Sequence, residues 1–147
     1  MKMGRRRGQV GGWPRGRSGV TERGQRRRVL VIEDEVIVGM LIEDMLEELG
    51  CEVAAISTHI EEALQLARAP DIDLAILDIN LGGKQSFPVA DVLKSRGVPF
   101  MFATGYGAHI LKPPYSGTST LQKPFQLDDL QRMLSLSGFQ AGGEWPA

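Results

Sequence analysis

From residue 29 onward, short apolar runs alternate with longer amphipathic ones. Val29-Leu30-Val31-Ile32 is a continuous, mostly β-branched run that stops at Glu33-Asp34-Glu35. Residues 36–49 then put Ile37, Leu41, Met45 and Leu49 on one stripe, with Val38, Ile42 and Leu46 beside it, which predicts a helix ended by Gly50. A short strand is expected over 52–57 and a helix over 60–69, stopped by Pro70. Leu74-Ala75-Ile76-Leu77 repeats the opening motif, an apolar run closed by an acid, Asp78. Residues 80–84 read as a loop, 89–95 as a helix ended by Gly97, and 99–103 as a third apolar strand running into FATGYG at 102–107. Beyond that point the pattern weakens. A turn or two of helix over 107–111 precedes Pro113-Pro114, a strand covers 119–122, and a helix covers 127–136 with Asp128 and Asp129 in its first turn.

Strands that are apolar throughout need both faces covered, so this alternation implies a parallel sheet with helices on either side. Ligands in such sheets bind at the carboxyl ends of the strands. Those ends carry Glu33 and Asp34, then Asp78, Thr104 and Lys123.

Composition adds three constraints. A chain of 147 residues holds one domain with a sizeable core. A single cysteine, Cys51, allows no internal disulfide and fits a reducing compartment, and no apolar run is long enough to span a bilayer, so a cytoplasmic location is expected. The net charge of −1 hides an asymmetry: residues 1–28 hold ten basic residues against Glu22, a net of +9, which leaves −10 on the remainder. The Gly- and Arg-rich head has no hydrophobic period and is expected to form a disordered basic tail over 1–27, with only non-specific attraction to nucleic acid. A second loose tail is expected over 138–147.

On one sheet edge the three carboxylates would repel one another and so take up protons or hold a cation. All-oxygen ligation with room for water favours Mg²⁺ over zinc. Lys123 supplies a compact positive charge and Thr104 a hydroxyl donor; with one carboxylate left to attack, the set can accept a phosphoryl group. Singly these residues are weak signals, since an acid after a strand commonly caps a helix and a Lys-Pro pair is commonly a turn.

Together VLVIEDE, LAILDINL, FATGYG and LQKPF resemble, in order and spacing, the receiver domain of two-component response regulators, over residues 28–137. The resemblance implies a flavodoxin-like α/β fold, a doubly wound parallel (βα)₅ sheet of order 2-1-3-4-5. It implies Asp78 as phosphoacceptor and a Mg²⁺ site of Asp34, Asp78 and the Asn80 backbone carbonyl, with Glu33 acting through a water. Lys123 would pair with the acyl phosphate and Thr104 would bond a phosphoryl oxygen. The implied partner is a sensor histidine kinase or histidine phosphotransferase, and the implied activity is signalling rather than catalysis, by protein contact or as a phosphate sink or relay. The protein is expected to be a stand-alone module, monomeric or weakly dimeric. An Asp-nucleophile phosphatase is the alternative, but it would want an acid where Asn80 stands. A receiver-like binding module working without phosphorylation is the other.

Receivers commonly carry an aromatic three residues before the lysine; here that position is Thr120. FATGYG with a non-aromatic there is similar to a receiver subgroup named for a FATGUY motif and associated with bacterial stress signalling. Tyr106, between Gly105 and Gly107, is the substitute switch candidate, and Pro113-Pro114 are expected to leave a loose segment through Thr118.

Overall fold

The computed structural model describes residues 26–105 and 111–136. In chain order the elements are β1 (Arg28–Ile32), α1 (Val36–Glu48), β2 (Glu52–Ser57), α2 (Ile60–Leu66), β3 (Leu74–Asp78), β4 (Asn80–Leu81), β5 (Lys84–Gln85), α3 (Phe87–Ser95), β6 (Phe100–Thr104), β7 (Thr120–Gln122) and α4 (Leu127–Leu136). Five strands form one parallel sheet in the order β2-β1-β3-β6-β7, the flavodoxin-like topology the sequence implies. The remaining two, β4 and β5, pair with each other as a small antiparallel hairpin.

Alternation along the strands sends successive side chains to opposite faces. Leu30, Ile32, Leu77 and Phe102 face one cluster, completed by Ala63 of α2 and by Val89 and Leu93 of α3. Val31, Ile76, Met101 and Leu121 face the other, with Ile42 and Leu46 of α1 and Leu130 and Leu134 of α4. Both faces of β1 and β3 are therefore dry, which explains why these runs contain no polar interruption.

Four expectations need correction. The stripe on α1 is rotated from the one the periodicity suggested. Gly39, Ile42 and Leu46 are buried, whereas Ile37 is 73% exposed and Leu41 53%. Gly39 explains the rotation: a Cβ there would lie 3.2 Å from Ile56 Cγ2, so the glycine face is the one that can seat against β2. Apolar residues cover more of α1 than one packed face requires, and Val36, Ile37, Met40 and Leu41 are left on the surface. Residues 80–84 are not a plain loop, because Asn80 pairs with Gln85 and Leu81 with Lys84 around Gly82-Gly83. Both glycines have positive φ, 56° and 89°, the backbone a tight two-residue hairpin demands. The segment after Pro113-Pro114 is not loose. It turns without helix, and Tyr115 is only 5% exposed within the first cluster. The second helix also ends at Leu66 rather than running to Pro70.

Candidate functional site

Parallel strands bring their carboxyl ends to one edge, and four of the five sheet strands deliver a chemically active group there. Glu33 follows β1 and is 1% exposed; its N–H donates to the Ser57 carbonyl at the end of β2 (3.0 Å) and its Oε2 accepts the Glu35 N–H (3.1 Å). Asp34, next in sequence, is exposed. Asp78 ends β3 and is 9% exposed. Thr104 ends β6 at 2% exposure, and its carbonyl accepts the Lys123 N–H at 2.8 Å, which fixes the start of the loop after β7 against β6.

Lys123 reaches across this edge. Its ammonium donates to Glu33 Oε1 at 2.8 Å and to Asp78 Oδ2 at 3.1 Å, with the side chain only 19% exposed. One oxygen each from Glu33, Asp34 and Asp78 lies within 4.8 Å of the others. One lysine thus faces three carboxylates. Burial pushes the Glu33 carboxyl up to about 7, and the nearby Asp78 charge adds to the rise, although Lys123 and the Glu35 N–H oppose it. Burial alone would lower the Lys123 ammonium, but its bond to Glu33 and the Asp78 charge outweigh that and raise it.

The hairpin completes the arrangement in a way the sequence did not signal. The Gly82 N–H donates to Asp34 Oδ2 at 3.0 Å, so the turn after β3 holds the carboxylate that follows β1. Asp34 is therefore not a helix cap. The residue at the N-terminal cap of α1 is Glu35, and it makes no side-chain cap bond. The Asn80 N–H approaches Asp78 Oδ1 at 3.3 Å. The donors are all oxygens and lie close together, and Asp34 opens to solvent; this set fits a hard divalent cation that keeps some of its water.

The remaining sequence candidates lie elsewhere. Thr120 is half-buried at the start of β7, where its hydroxyl donates to the Thr118 carbonyl at 3.0 Å. It sits opposite Phe102 in the β6–β7 register. Gly105 is exposed, and a Cβ added there would meet nothing within 4 Å. Tyr106 and the residues of the basic head before Arg26 lie outside the described residues. Sequence reading missed Tyr115, whose burial no local pattern announces.

Comparison with known proteins decides the family. A family model described as the response regulator receiver domain matches residues 29–135. The chain belongs to that receiver family. It is similar to the transcriptional regulatory protein PdtaR of Mycobacterium tuberculosis, at 29% identity over 115 residues, covering 76% of this chain and 56% of PdtaR. It is similar to the phyllosphere-induced regulator PhyR of Methylorubrum extorquens, at 30% identity over 76% of this chain and 43% of PhyR. The chain thus spans about half the length of these curated relatives. Among solved structures, SdrG from Sphingomonas melonis superposes with a TM-score of 0.68 at 37% identity, covering 74% of this receiver and 93% of SdrG. Receivers of this family act in two-component signalling, and no helix among the described residues is long and apolar enough to cross a membrane.

Proposed function

We propose that this receiver accepts a phosphoryl group on Asp78 from a phosphohistidine of a sensor kinase or phosphotransferase, and signals through the surface that change creates. The observation that carries the reading is the Lys123 ammonium, bonded at once to Glu33 and to Asp78 at the carboxyl edge of the sheet. It already stands where negative charge would gather in the transfer.

Each group has a distinct task. With Oδ2 of Asp78 held by Lys123, Oδ1, which the Asn80 N–H approaches at 3.3 Å, is the oxygen that attacks. It attacks phosphorus in line, the P–N bond to the donor imidazole breaks, and the nitrogen keeps the electron pair. The product is an aspartyl phosphate. Asp34, Asp78 and the Asn80 carbonyl would hold Mg²⁺, with Glu33 reaching it through water. Bound there, the cation would neutralise charge on the transferring oxygens. Lys123 exchanges its carboxylate bonds for a phosphoryl oxygen, and Thr104 donates its hydroxyl to another. The new group adds roughly one to two negative charges at the end of β3.

Incubation with acetyl phosphate and Mg²⁺, followed by intact mass, tests the assignment. Wild type should gain a phosphoryl adduct that Asp78→Asn lacks. An adduct that survives in Asp78→Asn, or none in wild type from small donors or kinases, would overturn it.

A further inference from the structure

Residues 111–119 lead into the edge strand β7 and form no helix, and within them only Leu111 and Tyr115 are buried. Tyr115 is held from several sides. Its ring lies parallel to Phe87 of α3 (centroids 5.6 Å apart) and edge-on to Phe100 and Phe102 of β6 (5.9 and 5.8 Å). The Lys94 ammonium lies 5.7 Å from the ring centroid, and the phenol donates a hydrogen bond to Asp91 Oδ1 of α3. Its own backbone closes the turns on either side: the Tyr115 N–H donates to the Lys112 carbonyl (2.7 Å) and the Thr118 N–H to the Tyr115 carbonyl (3.0 Å). Residues 112–119 are therefore fastened to the domain largely through the Tyr115 side chain, with Leu111 buried just before them.

Two further observations give this fastening a direction. Phe102, which Tyr115 touches edge-on, lies two residues before Thr104 on the same strand, so both side chains leave the same sheet face. The strand thus links Thr104 directly to the ring that Tyr115 packs against. Beside the fastening lies a cavity of about 660 Å³, lined by Phe87, Asp91 and Tyr115 together with Lys112, Pro113 and Pro114. Tyr115 thus borders open space on one side and the aromatic cluster on the other.

We infer that Tyr115, bonded to Asp91, is a latch that holds residues 111–119 closed and that disengages when Thr104 is drawn toward a phosphoryl group. This rests on the phosphoacceptor reading of Asp78. Tyr115 is a positioning residue in this scheme and touches no reacting atom. The latch converts a change at the end of β3 into exposure of the connection between β6 and β7. Release frees the Asp91 carboxylate and the Phe87 face for a partner.

The test uses the full chain labelled with 3-fluorotyrosine. Its two tyrosines give two ¹⁹F resonances, and Tyr115→Phe assigns them. Amide exchange over 111–119 is followed in parallel, and intact mass reports the adduct. Phosphorylation by acetyl phosphate should move the Tyr115 resonance and speed exchange over 111–119. Tyr115→Phe keeps the ring and removes only the hydroxyl, and Asp91→Asn removes the charge from the acceptor. In the unphosphorylated protein Tyr115→Phe should speed exchange there roughly tenfold, the loss of one hydrogen bond to a charged group; Asp91→Asn, which keeps a neutral acceptor, should speed it by less, and both should shrink the further increase on phosphorylation. An adduct with an unmoved Tyr115 resonance would overturn the latch. So would unchanged exchange in both variants, whether or not phosphorylation occurs. Absence of an adduct in wild type, with faster exchange in both variants, leaves the fastening standing and refutes both its coupling to phosphorylation and the phosphoacceptor reading.

Discussion

Glu33 provides a stability measurement that reads the site without any partner. The folded protein holds this carboxyl at 1% exposure, and burial foremost raises it from 4.5 to about 7. Between those two pH values the folded state carries a proton that the unfolded chain has released. Protons bound more tightly by the native state make stability fall as pH rises. The contribution of Glu33 is fully present below about pH 4.5 and gone above about pH 7. A displacement of that size corresponds to at most about 3 kcal/mol; the Lys123 bond at 2.8 Å is already part of the balance. Urea unfolding in the presence of a chelator, at about pH 5 and about pH 7.5, should show wild type losing up to that amount relative to Glu33→Gln. The glutamine keeps an oxygen for Lys123 and cannot titrate, so the difference between the two proteins removes the titrating groups outside this cluster. Parallel pH profiles, or a wild type that gains on the variant as pH rises, would refute the burial argument. Excess Mg²⁺ should reverse the slope, because a bound cation favours the ionised form.

Two other outcomes follow from the geometry. Gly82→Ala meets no atom within 4 Å, but its φ of 56° penalises any Cβ, so it should lose about 1–2 kcal/mol in urea unfolding and loosen Asp34, seen as weaker Mg²⁺-dependent stabilisation. Ile37→Glu with Leu41→Glu changes residues that are 73% and 53% exposed, so stability should move by less than about 0.5 kcal/mol per residue. If the apolar arc of α1 receives the phosphodonor, transfer from a phosphorylated kinase should slow in that variant while labelling by acetyl phosphate does not; equal slowing of both would remove the surface from consideration.

The sheet and the carboxyl-edge residues were legible because each rests on a local pattern repeated along the chain. Val29–Ile32 and Leu74–Leu77 are apolar without interruption only because both faces are covered, and the acid that ends each run is conspicuous for that reason. What escaped was set by contacts between distant segments. The stripe on α1 was ambiguous because the helix has more apolar residues than one face can bury, and the choice fell to Gly39 against Ile56. The hairpin at Gly82-Gly83 was visible as a turn, but its N–H to Asp34 spans 48 residues and leaves no trace in either neighbourhood. Tyr115 looked like part of a Pro- and Ser-rich loop; its burial depends on Phe87, Phe100 and Phe102, which come from two other elements.

The pairing of Glu33 with Lys123 spans 90 residues, and Lys123 directly follows β7, a three-residue strand at the sheet edge that pairs with β6. Closing a loop of that length in an otherwise unfolded chain costs on the order of 4 kcal/mol of chain entropy, and the paired strands between the two residues shorten it. A chain still being synthesised presents Glu33 and Asp78 before the cation that neutralises them exists. Such a chain lacks the ammonium that sits 2.8 Å from Glu33 and 3.1 Å from Asp78 in the finished fold. On the phosphoacceptor reading of Asp78, only a chain that has docked this last strand has the ammonium in place beside the attacking carboxylate.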